Sequence, residues 1–98
     1  MSYNRDGVRE ALCLAIATTL QSSGYKQPDF KDTGKPLKDY IGFDSHCGLE
    51  VTVELERILG VDDLGDNIFI KGTGKTARAR DLSQIVSNIL ARMKARKG

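Results

Sequence analysis

The sequence predicts an all-α domain: a small four-helix bundle of three longer helices and one short one, with a long first loop. Three observations predict it. Apolar residues recur at spacings of three and four in three separate segments, which places one apolar stripe on each helix. Each segment opens on Asn or Asp and closes on a glycine or a basic run, the residue types that satisfy helix ends. The 98 residues, 40% apolar and 29% charged, hold one modest core and leave no room for two. Residues 1–98 are therefore read as a single domain.

The first stripe is Val8, Leu12, Ala15, Ile16, Thr19 and Leu20, predicting a helix from about Asn4 to Ser23 that Asn4 caps and Gly24 stops. From Tyr25 to Phe43 the periodicity disappears, and Pro28, Gly34, Pro36 and Gly42 mark a long loop. A structureless loop of that length is unusual in a compact domain. Phe30, Leu37, Tyr40, Ile41 and Phe43 are the anchors expected to pin it, with one helical turn around Leu37–Tyr40. Asp44 then caps a second long helix that runs to about Leu59 and ends at Gly60. Its Leu49, Val51, Val53, Leu55, Ile58 and Leu59 spread over two faces, so part of its apolar surface is expected to be exposed. Ile68, Phe69 and Ile70 form a short cluster that reads as one helical turn, with a short strand as the alternative. Lys71–Lys75 reads as a flexible basic loop. Asp81 caps the last helix, whose Leu82, Ile85, Val86, Ile89, Leu90 and Met93 make the cleanest stripe in the chain. The basic tail 94–98 is expected to fray.

A net charge of +2 conceals a division of sign. Between Asp39 and Asp66 lie eight acids and one base, Arg57; between Lys71 and Gly98 lie eight bases and one acid, Asp81. Charge of this kind bears on partners more than on fold. Several classes fall away. No apolar run reaches the roughly 18–20 residues of a membrane span. MSYNRDGVRE lacks the apolar core of a signal peptide, so a cytoplasmic location is expected, with Cys13 and Cys47 as free thiols. One His and two Cys cannot supply the four ligands of structural zinc. The stretch GTGKT at Gly72–Thr76 resembles part of a phosphate-binding loop, but the first glycine of that motif would fall on Phe69. Nucleic acid is not an expected partner, because the basic third carries no stacking aromatic and the acidic helix repels phosphate.

Three adjacent side chains then compete for a chemical role. Cys47, in the first turn of a helix, is placed where amide dipoles favour a thiolate. His46 beside it points about 100° away, which does not make a nucleophile–base dyad. The expectation is an exposed thiol next to an exposed imidazole, and no catalytic residue. Ser45 is the better candidate: a phosphodiester on its hydroxyl would meet the unpaired N–H groups of a helix N-terminus.

The stretch Gly42–Val61, GFDSHCGLEVTVELERILGV, resembles the acyl carrier protein family. The family carries a G-x-D-S-L motif at the start of its second helix, then V-E-L, then an apolar–Gly pair about fifteen positions after the serine. Here these are Asp44–Ser45, Val53–Glu54–Leu55 and Leu59–Gly60. The order of elements agrees over nearly the whole chain, and Ala79–Arg80–Asp81–Leu82 resembles the family's T-x-x-D-L approach to its last helix. The resemblance implies a carrier and not an enzyme. Ser45 would receive 4′-phosphopantetheine from coenzyme A through a separate phosphopantetheinyl transferase, and the arm's thiol would carry an acyl group as a thioester. It further implies that acyl-loading ligases and acyl-processing enzymes recognise the second helix, here through Asp44, His46, Glu50, Val51, Glu54 and Glu56. No metal site is implied, and a monomer is expected.

Three departures from the family pattern shape the expectation. His46 replaces the usual Leu after the serine. The segment between the last two long helices is about five residues longer than usual. The C-terminal third is basic where the family is acidic. Together they imply a specialised carrier in a lipid or secondary-metabolite pathway. A peptidyl carrier shares the same helix and serine, and a non-carrier protein-interaction module on the same bundle is the competing reading.

Overall fold

The computed structural model describes residues 4–61, 64, 68–72 and 74–97, with side chains through residue 93. Its helices are α1 (Arg5–Ser22), α2 (Pro36–Asp39), α3 (Ser45–Leu59) and α4 (Leu82–Lys97). Two short strands, β1 (Ile70–Lys71) and β2 (Arg78–Ala79), pair antiparallel with Ile70 opposite Ala79 and Lys71 opposite Arg78. The all-α expectation is corrected at this point: the chain is mostly helical and carries a small β-hairpin. The cluster Ile68–Ile70 is a turn leading into a strand, and the basic stretch after it is the arm of that hairpin, closed by a 3-10 turn at Gly74–Thr76. The reason is packing. Ile68 and Phe69 are fully buried, and Phe69 accepts the Arg80 N–H at 2.8 Å, so the chain must return antiparallel to itself.

The expected caps are in place. Asn4 accepts the Gly7 N–H at 2.8 Å and Asp44 accepts the Cys47 N–H at 2.9 Å. Asp81 and Gln84 exchange bonds at 2.8 and 3.0 Å, each side chain satisfying the other's backbone N–H. The backbone of α4 stays helical to Lys97, past the point where the sequence predicts fraying.

α1 packs against both α3 and α4. Its Val8, Leu12, Ala15, Ile16 and Leu20 meet Val51 and Leu55 of α3 and Leu82, Ile85 and Ile89 of α4 in one core. Arg5 ties α1 to α4, donating to the Ser83 carbonyl and to the Ser83 and Ser87 hydroxyls.

The long loop is ordered by rings and by one arginine. Phe30, Tyr40, Phe43 and Phe69 follow one another edge-to-face, with centroids 5.8, 6.4 and 5.1 Å apart. Arg9 donates to the Asp32 carboxylate at 2.8 Å and to the Phe30 carbonyl at 3.0 Å. The first amides of α4, Leu82 and Ser83, donate back to the loop carbonyls of Gly34 and Asp32. Of the expected anchors, Ile41 is not one: it is 82% exposed. Gly42 beside it sits at φ +83 with the Tyr25 ring against it. A Cβ there would come within 2.5 Å of that ring, so only glycine allows the contact.

Tyr40 yields a first prediction. Its hydroxyl is buried and has no hydrogen-bond partner among the described residues, and burial pushes its phenol up to about 12. Tyr40→Phe should therefore stabilise the domain by about 1 kcal/mol, since it removes an unsatisfied polar group and keeps the ring. The phenol's folded value lies above its unfolded value near 10. This titration therefore leaves stability unchanged below about pH 10, and the wild-type chain loses stability relative to the variant as pH rises through about 12. Thermal melts of the two chains should diverge most across that alkaline window.

Candidate functional site

The site is the start of α3. Asp44 lies in extended backbone as the N-cap, and Ser45 is the first helical residue. Phe43, immediately before the cap, is buried against the Phe69 ring and sets the angle at which the helix begins. The Asp44 carboxylate takes the Cys47 N–H, and its carbonyl takes that of Gly48 at 3.0 Å. The amides of Ser45 and His46 have no intrahelical carbonyl to bond. Ser45 is exposed, and its side chain makes no hydrogen bond within the described residues.

Asp44 sharpens the electrostatics. The Cys47 N–H holds its carboxylate below the usual range, so it is ionised at neutral pH. An anion on Ser45 would therefore share the helix end with a fixed negative charge. The depressed value also sets a sign. The Asp44 contribution is present above the unfolded carboxylate range and is lost as pH falls through its folded value. Asp44→Asn keeps an acceptor oxygen but cannot ionise. Wild type should melt above this variant at neutral pH, and the gap should close as the solution is acidified.

Cys47 departs from the expectation of an exposed, activated thiol. It is buried, its Sγ donates to the Gly42 carbonyl at 3.4 Å, and burial raises its pKa, outweighing the pull of the helix end. The cap geometry turns this side chain inward while Ser45 and His46 stay outside.

Glu50, Glu54 and Glu56 of α3 each have a close partner. His46 Nε2 lies 3.1 Å from Glu50 Oε1, one turn on. Glu54 is paired with Arg57, and Glu56 accepts the Leu64 N–H at 2.9 Å, fastening the segment after the helix. Asp62, Asp63 and Asp66 of the acidic block lie outside the described residues. Val51, expected at a partner surface, is fully buried in the core. Its place is taken by Leu49 and Val53, 54% and 65% exposed, which lie four and eight residues after Ser45 on a neighbouring line of the helix. That spacing was the available signal; without the packing partners, nothing in the pattern shows which of the two apolar faces turns outward.

Near the same end, a cleft of about 700 Å³ opens between the long loop and α2. Tyr25, Lys26, Pro28, Lys31, Tyr40 and Ile41 line it. The interior beneath Ser45 is filled instead: the Phe69 ring would stand 3.2 Å from a Cβ at Gly48. Among the described residues no helix is long and apolar enough to cross a membrane, and no cluster of His, Cys, Asp or Glu is placed to hold a metal ion. No protein-family model, curated protein or solved structure matches the chain.

Proposed function

We propose that this chain is an acyl carrier protein that bears 4′-phosphopantetheine on Ser45. The observation that carries the reading is the placement of Ser45. It is the exposed first residue of a fifteen-residue helix, directly after an Asp cap, and that helix closes on Gly60. The residues around it fit the group, since the serine oxygen is open and two first-turn amides lack helical partners. When bound, the arm supplies a terminal thiol that holds an acyl group as a thioester.

The chain's own residues do the rest. Asp44 fixes the helix start, and its charge would stand beside the phosphodiester. Phe43, locked into the ring series, holds the loop so that Ser45 stands clear of it. Leu49 and Val53 give partner enzymes an apolar contact beside the serine, and His46 and Glu50 give a polar one. With His46 in place of the family's Leu and a basic hairpin nearby, the partners are dedicated enzymes of a specialised lipid or secondary-metabolite pathway.

The direct test is intact-mass measurement after incubation with coenzyme A and a promiscuous phosphopantetheinyl transferase. One added arm per chain is the expected result. An unmodified chain under conditions that load a control carrier sinks the reading and leaves the interaction module.

A further inference from the structure

We propose that the hairpin Ile70–Ala79 is a docking arm for an acidic protein surface. The argument begins with the register. Lys71 and Arg78 stand directly opposite each other, so two like charges share one face of a two-pair ribbon. Such a pair destabilises a sheet, and a ribbon this short has little stability to spare. Lys75 adds a third exposed base at the tip, and none of the three forms an ion pair among the described residues.

The arm nonetheless has a firm root. Phe69 is fully buried against Phe43 and over Gly48, and Arg80 N–H closes the base onto the Phe69 carbonyl. At the far end Gly72 turns at φ +85, where a Cβ would meet the Thr76 carbonyl oxygen at 2.9 Å. A fixed base, with β2 lying against α2, and a tight tip leave Lys71, Lys75 and Arg78 exposed to solvent.

Complementary charge selects the partner. The chain's own α3 is a poor counterpart, because Glu54 and Glu56 are already engaged and Glu50 faces His46. The arm carries no aromatic residue between Lys71 and Ala79 for stacking on bases, and no large apolar residue there to enter a lipid surface. A carboxylate-rich protein surface needs neither. Its contacts would be rim-type charge pairs, which speed and orient association and weaken with salt.

The test does not depend on Ser45 carrying an arm. The unmodified, isotope-labelled chain is titrated with a synthetic poly-glutamate peptide while backbone amide shifts are followed. Shifts are expected at Lys71, Gly72, Lys75 and Arg78, fading as salt is added. A Lys71→Gln, Lys75→Gln, Arg78→Gln chain with unchanged helical circular dichroism should bind about tenfold more weakly or worse. Lys75→Gln alone, at the exposed tip, weakens binding without touching the ribbon and covers the case in which the triple variant unfolds. Absence of hairpin shifts, or shifts confined to the basic end of α4, overturns the proposal. So does tighter binding of a DNA duplex or of phosphatidylglycerol vesicles through the same residues.

Discussion

Ser45→Ala is expected to abolish attachment of the arm completely while leaving the fold intact. The exposed hydroxyl makes no bond that holds the domain together, and alanine is a good helix former at the first helical position. The change in stability should stay within about 0.5 kcal/mol. Intact mass reads the first effect and circular dichroism the second. In the wild-type chain the added mass should localise to the tryptic peptide Asp39–Arg57, in which Ser45 is the only serine. An adduct that persists in the alanine chain would place the chemistry elsewhere and overturn the carrier reading. Under the proposed reading, His46→Leu, which places there the residue that acyl carrier proteins usually have, should leave attachment in place and change only which partner enzymes accept the loaded chain.

Phe69→Ala should produce the largest loss of stability of any change considered. The ring is fully buried, ends the edge-to-face series from the long loop, and fills the space over Gly48 in the first turn of α3. Truncation there costs about 3–5 kcal/mol through lost burial and the cavity left behind. Small domains hold only about 5–15 kcal/mol in total. For a chain of this size such a loss lowers Tm by roughly 15–30 °C. The effect should not be uniform. The same ring roots the hairpin and backs Phe43, so amide exchange should rise first in Ile70–Ala79 and at the start of α3, ahead of α1. Uniform loosening of all four helices would show that Phe69 is an ordinary core residue and not the link between hairpin and site.

How much was legible in the sequence depends on how local the cause was. Asn4, Asp44 and Asp81 each act on an amide three residues away, so their caps follow directly from residue order. The buried stripes of α1 and α4 also follow, because a helix repeats every 3.6 residues whatever it packs against. The hairpin did not follow. Its two strands of two residues each are too short for an alternating pattern to be counted, and what turns the chain back is the burial of Phe69 among residues distant in sequence. The same cause hid the fate of Val51 and Cys47. Both are apolar or nearly so on a helix with two apolar faces, and only the neighbouring α1 and the loop carbonyl of Gly42 decide that they turn inward.

By itself the sequence determined the long helices, their N-caps and the position of Ser45 at one of them. These rest on bonding within a few residues and on periodicity, which any segment carries with it. Tertiary structure alone decided which surface surrounds that serine. It buried Val51 and Cys47, exposed Leu49, Val53 and Ile41, and set Glu50 and Glu54 against partners in their own helix. It also gathered the basic stretch into a ribbon with Lys71 facing Arg78. The physical reason is that exposure and charge pairing depend on what packs against a residue, and the packing partners here come from distant parts of the chain.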